Sequence, residues 1–481
     1  MTTACWRSTG FASTRIVNWR RKRIPGNDDK KRMMDEPIIS VSGMRGIVGR
    51  SLTAEHVSRY VRAFASTLSP GPLVISRDGR ANGGPLMEVV CQTLLDLGRD
   101  VQLADIAATP TTALLVREQQ AAGGIQVSAS HNPPEYNGLK LLAASGRMLP
   151  ASEGEIVLHR YMEDPARSPA SLPGKQIPLE HTNSIHLQKI LETVDVDRIG
   201  QQKFRVLLDA NHGAGALLGR PLLEALGCQL TITGETPDGQ FKHPAEPTAA
   251  HLAPLIEQLG EGEYDVIFCQ DPDADRLALI DQQGHYLGEE LTLALCLDHV
   301  LPVRAGAAVT NCASSRACEE IAGRHGVPFF LSAVGEANVV DLMLEKDACF
   351  GGEGNGGVID PRVVLARDSF VGMAQVLDAM AARQQPLSEI AGGLPRFEIQ
   401  KEEVPLPPGL VATFFERLQE SFPEARASHL DGLRLDWPDR WLLVRSSNTE
   451  PIVRCIAESS EAGMAGQLCS QAQELARQLV D

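Results

Sequence analysis

Residues 264–275 have the sequence YDVIFCQDPDAD, in which an apolar, β-branched run ends in a loop of acidic residues. Runs of the same kind, each ending in a polar loop, occur at 72–80, 99–112, 123–133, 204–215 and 307–315. Short apolar strands that alternate with helical patterns predict tandem α/β units. Ligands bind at the carboxyl ends of parallel strands, so we expect the polar loops to share one cleft.

Segments rich in proline and polar residues divide the chain at three places, within 168–178, 284–290 and 391–408. A chain of 481 residues is long enough for about three or four domains. The last block differs from the others, because paired strand signals lie between two helical patterns. We predict α/β domains at 34–176, 177–284 and 285–395, and a smaller α+β domain at 396–481.

The composition is that of a globular protein, with 43% hydrophobic and 22% charged residues. The formal net charge is −16, and an acidic chain binds nucleic acid and anionic membranes poorly. Its apolar stretches fall short of the roughly 18 residues of a membrane-spanning helix, and its ten cysteines form no C-x-x-C pair. We predict a cytoplasmic monomer or homodimer with reduced cysteines and no nucleic-acid or membrane partner.

The first 33 residues differ from the rest, because they carry nine basic and only two acidic side chains and have no helical period. One interpretation is a targeting arm, which is typically rich in arginine and poor in acids. The other is an extension upstream of a start at Met33 or Met34. We favour the extension and predict that residues 1–33 form a basic, disordered segment.

Asp271, Asp273 and Asp275 occupy alternate positions of a loop directly after the strand YDVIFCQ. Carboxylates this close repel one another unless a cation neutralises them, and hard oxygen ligands suit Mg²⁺. An EF-hand is excluded, because Arg276 and Gln282 stand where its glycine and glutamate would be. A solvated acidic turn is the alternative, and we favour the metal.

The segment VSASHNPP (127–134) places Ser130 and His131 at the end of another apolar strand, ten residues before Lys140. Serine, asparagine and proline are turn formers, so a plain turn is the alternative. The segment lacks the G-x-S-x-G pattern of a nucleophile elbow. A serine near a lysine suits phosphoryl chemistry, in which the cation neutralises charge or moves a proton.

Residues 351–357, GGEGNGG, allow a ligand to approach the backbone closely. They are not a P-loop, because no G-K-[ST] follows. Glu353 and Asn355 are the side chains suited to sugar hydroxyls. A flexible surface loop is an equally good interpretation of this segment alone.

Residues 445–451, RSSNTEP, follow the strand WLLV with a run of hydrogen-bond donors. Hydroxyls, an amide and a guanidinium in one turn form a nest for phosphate, and an ordinary polar turn is the weaker alternative. The candidate phosphate ligands are Arg445, Ser447, Asn448, Thr449 and Arg454.

Two polar turns near the start of the chain carry further arginines. Arg45 stands between glycines in SGMRG (42–46), where it either reaches an anion or belongs to a simple turn. Asp78 and Arg80 follow a strand in SRDGR.

These loops, in this order, resemble the α-D-phosphohexomutase family, which includes phosphoglucomutase, phosphomannomutase and phosphoglucosamine mutase. SASHNPPEYNGLK resembles the family's phosphoserine loop, DPDADR its metal loop, GEGNGG its sugar loop and RSSNTEPIVR its phosphate loop. One such motif is weak evidence. Four in family order, together with SGMRG and DGLRLDW, make a specific match from about Ile38 to Asp481.

The resemblance implies a four-domain fold around a central cleft, with three related mixed-sheet α/β domains and a smaller C-terminal α+β domain. It implies that a phosphorylated Ser130 and the three aspartates bind Mg²⁺. It also implies the interconversion of hexose 1-phosphate and hexose 6-phosphate through a 1,6-bisphosphate, with an activator of the glucose 1,6-bisphosphate type.

The resemblance further assigns roles to the side chains of the cleft, with Lys140 as a candidate for proton transfer. The catalytic set is Ser130, Lys140, Arg45, His131 and Arg276. The metal ligands are Ser130, Asp271, Asp273 and Asp275. The sugar is bound by Glu353 and Asn355, and the non-reacting phosphate by Arg445, Ser447, Asn448 and Thr449, with Arg454 beyond them.

The sugar loop departs from the pattern of many members, which have serine at the position of Asn355 or histidine at that of Gly357. Residues 332–336 also lack the lysine and histidine that some members carry there. GEGNGG resembles the version in archaeal-type members. The general base and the choice among glucose, mannose and glucosamine therefore stay open.

Two rival functions fit part of the pattern. A phosphatase or phosphotransferase with Asp271 as nucleophile fits the acidic loop, but it leaves the Ser130 loop and the phosphate loop unexplained. A phosphosugar-binding protein that has lost catalysis would need none of the three carboxylates.

Overall fold

The computed structural model describes residues 36–40, 43–164, 170–259, 262–447 and 451–480. Within these ranges the strands form four sheets. The predicted basic extension at 1–33 lies outside the described residues.

The first sheet and its helices occupy the N-terminal third of the described chain. The strands are β1 (Ile38–Ser40), β2 (Gly43–Ile47), β3 (Leu73–Arg77), β4 (Val101–Ile106), β5 (Gly123–Val127), β6 (Tyr136–Ala143), β7 (Arg147–Met148) and β8 (Gln176–Pro178). The helices are α1 (Ala54–Ala65), α2 (Gly83–Asp96), α3 (Thr109–Glu118) and α4 (Ala151–Met162). The sheet order is β1-β2-β6-β5-β3-β4-β8, with β7 paired to β6.

The second and third sheets have four strands each. The second contains β9 (Arg205–Asp209), β10 (Gln229–Thr233), β11 (Val266–Gln270) and β12 (Leu277–Asp281), with α5 (Ser184–Leu191), α6 (Val196–Gln202), α7 (Ala216–Ala225) and α8 (Ala249–Ile256). The third contains β13 (Ala307–Asn311), β14 (Phe329–Ser332), β15 (Ala348–Glu353) and β16 (Gly357–Ile359). Its helices are α9 (Glu289–Val300), α10 (Ala317–Arg324), α11 (Glu336–Glu345), α12 (Ser369–Arg383) and α13 (Leu387–Gly392).

The fourth sheet is antiparallel, in the order β17-β21-β20-β19-β18. Its strands are β17 (Glu398–Pro405), β18 (Arg426–Ser428), β19 (Leu433–Asp436), β20 (Arg440–Ser446) and β21 (Ile452–Ser459). Helices α14 (Val411–Ser421) and α15 (Met464–Val480) pack on it through an apolar core that includes Phe414, Leu442 and Leu468.

The first three sheets repeat one pattern. Three parallel strands and an antiparallel fourth lie in the order second, first, third, fourth: β4-β3-β5-β6, β10-β9-β11-β12 and β14-β13-β15-β16. The inner parallel strands are buried apolar runs such as VIFCQ, as expected when helices cover both faces of a sheet, whereas the outer strands β10 and β14 are partly exposed. The predicted fold class is thereby confirmed: three related mixed-sheet α/β domains and a smaller C-terminal α+β domain.

Two predicted linkers contain strands. β8 crosses the predicted limit at residue 176 and pairs in parallel with β4, so the first sheet extends to Pro178. The segment 391–408 contains β17, an edge strand of the fourth sheet. Both segments resemble linkers in sequence, because charged residues and proline are common on edge strands as well as in loops.

Arg316, at the start of α10, joins the third domain to the fourth. Its guanidinium donates hydrogen bonds to the carbonyls of Trp437 and Pro438, at 2.8 and 3.0 Å, and to Asp436 at 3.2 Å. Its backbone N–H donates to the buried Glu458 carboxylate at 2.9 Å. This interface fixes the fourth domain against one wall of the cleft.

We predict that Arg316→Ala lowers the midpoint of thermal unfolding by several degrees, because a hydrogen bond from a charged group contributes about 1.5–3 kcal/mol. The matched control is Arg324→Ala on the same helix, whose exposed guanidinium donates to the Gly393 carbonyl at 3.3 Å. Scanning calorimetry of both variants measures the difference. Equal midpoints for the two variants would contradict this account of the interface.

Candidate active site

Three hairpin loops with the same place in their sheets meet in the cleft. Each lies between the third and fourth strands of its domain: the loop of Ser130 after β5, the acidic loop after β11, and the glycine-rich loop after β15. The Ser130 hydroxyl lies 2.8 Å from an Asp271 carboxylate oxygen. The repeated strand order therefore brings the first two predicted motifs into contact.

The three aspartates of the acidic loop form a compact buried group. One oxygen from each of Asp271, Asp273 and Asp275 lies within 4.8 Å of the others. Asp271 Oδ1 accepts hydrogen bonds from the backbone N–H groups of Asp275 and Arg276, whereas Oδ1 of Asp273 and of Asp275 are buried without a hydrogen-bond partner. Unpartnered buried carboxylate oxygens are costly, so this group fits a divalent cation and can hold one.

Two cations from other domains lie against the aspartates. Lys140 Nζ lies 2.5 Å from Asp273 Oδ2 and 2.8 Å from Asp275 Oδ2, and Arg367 Nη2 lies 2.7 Å from Asp275 Oδ2. Burial lowers the pKa of Lys140, but Asp273 and Asp275 raise it by more, so the pKa lies above its usual value. Burial and the neighbouring carboxylates raise the pKa of Asp271 well above its usual range. The ammonium thus serves as a counter-charge for the cluster.

Ser130 is held in an unusual conformation beside this group. Its φ is +49°, in the left-handed region that costs non-glycine residues on the order of 1–3 kcal/mol. Its backbone N–H donates to Ser128 Oγ at 2.9 Å, and that hydroxyl donates to Asp78 at 2.7 Å. The loop therefore fixes the Ser130 hydroxyl in its contact with Asp271.

His131 lies beside the serine with an uncharged ring. Nδ1 is 3.4 Å from Ser130 Oγ, and Nε2 is 3.9 Å from a Glu246 oxygen. Burial, followed by the charge of Arg276 and then that of Arg45, lowers the pKa of His131 to about 2. Arg276 itself donates to Glu246 at 3.2 Å.

Arg45 reaches the cleft from β2. Gly43 pairs with Lys140 of β6, and Arg45 pairs with Gly138, so the two cationic side chains leave the same face of the sheet. Gly43 has a φ of +142°, and a Cβ there would collide with the Leu139 carbonyl. This close strand approach places Arg45 near Lys140.

Glu353, at the start of the glycine-rich loop, is buried, and both of its carboxylate oxygens accept hydrogen bonds. Oε1 accepts hydrogen bonds from Asn311 at 2.7 Å and from the Gly335 N–H at 3.0 Å, and Oε2 accepts one from Arg367 at 2.8 Å. Asn355 Nδ2 lies 3.5 Å from Oε2, while its Oδ1 is buried without a hydrogen-bond partner. The amide oxygen of Asn355 is therefore an unpaired hydrogen-bond acceptor in this loop.

Arg367 was missed by the sequence analysis. It contacts Asp275 and Glu353 and lies 3.1 Å from Glu336, so it links the metal loop to the sugar loop. Burial raises the pKa of Glu336 to about 7 although Arg367 lowers it. The sequence feature that could have indicated Arg367 is its position immediately before Asp368, the N-cap of α12.

Arg445, near the end of β20, lies where the fourth domain borders the third. Arg445 Nε lies 3.2 Å from Asp431 Oδ2, which also accepts the backbone N–H of Val334 at 3.1 Å. The Ser447 N–H donates to the Ile452 carbonyl at 2.9 Å, which pairs the two ends of the loop. Arg445 therefore lies next to the third-domain loop 332–336.

The other predicted phosphate ligands differ in their placement. Arg454 stands opposite Arg445 on β21, so both guanidinium groups leave one face of the sheet. Its Nε lies 3.2 Å from the exposed Glu403. Asn448 and Thr449 lie outside the described residues.

Models of the phosphoglucomutase/phosphomannomutase family match this chain in three parts. They are α/β/α domain I at residues 37–166, domain II at 184–284 and domain III at 289–397. The chain belongs to the phosphoglucomutase/phosphomannomutase family.

Similar proteins agree with this membership. A phosphoglucomutase/phosphomannomutase of Thermococcus kodakarensis is 33% identical over 429 residues, which cover 87% of this chain and 93% of that protein. A phosphoglucosamine/phosphogalactosamine mutase of Sulfurisphaera tokodaii is 28% identical, covering 91% of this chain and 98% of its own.

Solved structures of similar fold include a phosphoglucomutase/phosphomannomutase family protein from Burkholderia thailandensis. Its TM-score is 0.79 at 24% identity, over 92% of this chain and 98% of that one. An N-acetylphosphoglucosamine mutase of Aspergillus fumigatus, solved with GlcNAc-6P and magnesium, has a TM-score of 0.55 at 13% identity, over 94% and 99% of the two chains. These two likenesses concern the fold.

This chain is thus a phosphohexomutase, an isomerase that works by phosphoryl transfer. None of the helices in the described ranges has the length and apolarity needed to cross a membrane. Nine cysteines lie in those ranges, and all of them are free thiols.

Arg80 supports the serine loop of this phosphohexomutase from behind. The side chain is buried, and its charge is balanced by Asp78 at 3.3 Å. Its guanidinium donates four hydrogen bonds of 2.5–3.1 Å, to the carbonyls of Ser130, Asn132, Pro133 and Tyr136. One side chain therefore sets the path of the whole loop.

We predict that Arg80→Ala lowers turnover about 100-fold, because a displacement of roughly 1 Å at a reacting group costs that much. The variant leaves four carbonyls without their donor. The matched control is Arg77→Ala at the end of β3, whose guanidinium pairs with the exposed Asp105. Steady-state kinetics on both variants checks the prediction, and unchanged turnover in Arg80→Ala would show that the loop does not depend on this side chain.

Proposed function

We propose that the chain interconverts hexose 1-phosphate and hexose 6-phosphate through a phosphoserine at Ser130. The observation that carries this proposal is the 2.8 Å contact between the Ser130 hydroxyl and Asp271, inside a group of three buried aspartates flanked by Lys140. A hydroxyl beside a cation site is suited to accept and release a phosphoryl group. Glucose, mannose and glucosamine phosphates are the candidate substrates.

The metal we propose is Mg²⁺, held by Asp271, Asp273, Asp275 and an oxygen of phosphorylated Ser130. The unpartnered oxygens of Asp273 and Asp275 support a hard cation with oxygen ligands. Magnesium, when bound, neutralises charge on the transferring phosphoryl group. One structural neighbour, the Aspergillus fumigatus enzyme, was itself solved in complex with magnesium.

We propose that the phosphoryl group passes from phosphorylated Ser130 to a sugar hydroxyl and back. A sugar hydroxyl oxygen forms a bond to phosphorus while the bond from phosphorus to Ser130 Oγ breaks, and the net movement is one proton from the sugar hydroxyl to Ser130 Oγ. The resulting 1,6-bisphosphate reverses its orientation. Ser130 Oγ then forms a bond to the other phosphorus while the bond from that phosphorus to the sugar oxygen breaks, and the net movement is one proton from Ser130 Oγ to that sugar oxygen. Lys140, Arg45 and Arg276 supply positive charge to the phosphoryl oxygens, and the neutral His131 borders the serine.

The rest of the cleft binds the part of the substrate that does not react. Glu353 and Asn355 are proposed for sugar hydroxyls, and the Asn355 Oδ1 without a partner supports a donor from the ligand. The non-reacting phosphate is proposed to lie against Arg445, Ser447, Asn448 and Thr449, with Arg454 beside them. An activator of the glucose 1,6-bisphosphate type would phosphorylate Ser130 at the start.

The alternatives are not favoured by the similar proteins, which are named as mutases. A phosphorylated hexose is the partner we propose. The cytoplasmic location, the monomeric or homodimeric state and the lack of nucleic-acid and membrane partners stay predictions from the sequence.

We predict that Ser130→Ala loses at least about 1,000-fold in turnover while its melting midpoint stays close to wild type, because a serine-to-alanine change in a loop costs little stability. The control is Ser145→Ala in the exposed turn between β6 and β7, which keeps full activity. A coupled assay with glucose 1-phosphate and traces of glucose 1,6-bisphosphate measures turnover.

The residue that becomes phosphorylated distinguishes the proposed phosphoserine mechanism from the rival mechanism with an aspartyl nucleophile. Peptide mapping after incubation with glucose 1,6-bisphosphate is expected to find phosphate on Ser130 in the wild type. Phosphate on Asp271, or wild-type turnover in Ser130→Ala, would favour the aspartyl nucleophile instead.

We predict that Arg445→Ala lowers kcat/KM roughly 10- to 100-fold for both the 1-phosphate and the 6-phosphate, because one charged hydrogen-bond donor is lost from a site used in both orientations. Ser130 should still accept phosphate, since the metal end of the cleft is unchanged. A loss confined to one substrate would mean that Arg445 does not bind the shared phosphate.

A further inference from the structure

Three buried side chains from three domains meet behind the metal loop. His186 of α5 lies with Nδ1 at 2.9 Å from the Thr111 hydroxyl of α3, and with Nε2 at 2.7 Å from Asp368 Oδ2, at the start of α12. All three residues are 0% exposed. We name Thr111, His186 and Asp368 the junction triad.

Both ring nitrogens of His186 are used, which fixes the ring. The hydrogen-bond network assigns Nε2–H as donor to Asp368 and Nδ1 as acceptor from Thr111. The ring also packs at nearly a right angle against that of Phe370, with the centroids 5.6 Å apart. Asp368 Oδ1 accepts the N–H groups of Phe370 and Val371, so the carboxylate caps the helix while it binds the histidine.

The third-domain end of the triad continues directly into the metal loop. Arg367, just before Asp368, donates to the metal-loop carboxylate of Asp275 at 2.7 Å. Ser369, just after it, donates to the carbonyl of Ala274 at 2.7 Å. Asp368 thus anchors a three-residue segment that contacts the loop on both sides of the helix cap.

The first-domain end of the triad reaches the same loop. Thr109 lies two residues before Thr111 in the first turn of α3. Its hydroxyl donates to the Asp273 carboxylate, and its N–H donates to the Asp273 carbonyl at 3.0 Å. The junction triad therefore connects the support of Asp273 to the support of Asp275.

We propose that His186 is a positioning residue that sets the separation of Asp273 and Asp275 and thereby the affinity of the cluster for Mg²⁺. The proposal rests on the metal site of the proposed function. Direct hydrogen-bond partners of metal ligands typically contribute 10- to 100-fold in metal affinity or activity. Thr109 and Arg367 are such partners of Asp273 and Asp275, and the junction triad holds the segments that carry them. Without the imidazole, Thr111 and Asp368 are left buried without their partner, and both supports of the metal loop loosen together.

The test measures Mg²⁺ binding alone, by isothermal titration calorimetry on the full chain without sugar. We expect His186→Ala to raise the Kd for Mg²⁺ about tenfold or more. His186→Gln, which keeps a donor and an acceptor, should recover most of that loss. In assays at saturating Mg²⁺ with glucose 1-phosphate, kcat should fall more than KM rises.

The matched control is His325→Ala. His325 also pairs with an aspartate, Asp298, at 3.1 Å, but both residues belong to the third domain and lie apart from the metal loop. This variant should lose stability without a change in Kd for Mg²⁺. Thr111→Val, which replaces the hydroxyl with a methyl group of similar size, gives a milder second variant with a Kd about threefold higher.

The outcomes separate this proposal from the proposed function. If wild type binds Mg²⁺ and His186→Ala and Thr111→Val bind it equally well, the positioning role is overturned while the metal site stands. If wild type binds no Mg²⁺, the metal site and the positioning role both fail. If His325→Ala loses as much Mg²⁺ affinity as His186→Ala, the loss reflects a general loss of stability, and the proposal is also overturned.

Discussion

Three carboxylates buried within 4.8 Å of one another are the feature on which the rest of this cleft depends. Such a group is stable only if opposite charge surrounds it, and besides Arg276 of its own loop that charge comes from two other domains. Lys140 comes from the first domain, the aspartates from the second and Arg367 from the third. The electrostatic requirement of one loop therefore ties three domains together, and the same charges form the environment of Ser130.

The repeated sheet explains how three domains can supply one site. In each, the functional group lies at or just after the carboxyl end of the third strand, and a group at or just after the carboxyl end of the first strand supports it. Arg80 holds the loop of Ser130, the N–H of Ala214 donates to the carbonyl of Pro272, and Asn311 donates to Glu353. A duplicated architecture thus gives each chemical group a rigid support from its own domain.

The α/β class and a shared cleft follow from the apolar strands and the polar loops at their ends. The four-domain organisation and the grouping of Ser130 and Lys140 with the aspartates follow from the resemblance to the phosphohexomutase family. The domain limits at 176, 284 and 395 stay predictions, and edge strands β8 and β17 look like linkers because their residues are polar. Arg367 and His186 were missed for another reason. Their partners lie 92 and 182 positions away in the chain, so only the folded domains reveal what they bind.

The most direct test of the account is the anomalous diffraction of Mn²⁺ soaked into crystals of the full chain, as a substitute for Mg²⁺. We predict one peak with an oxygen of Asp271, Asp273 and Asp275 each at about 2 Å, and with Ser130 next to it. We also predict that Arg367 keeps its contact with Asp275. Crystals of the folded protein in saturating Mn²⁺ contradict this prediction if they show no peak between the three aspartates, or if the metal is bound elsewhere in the cleft.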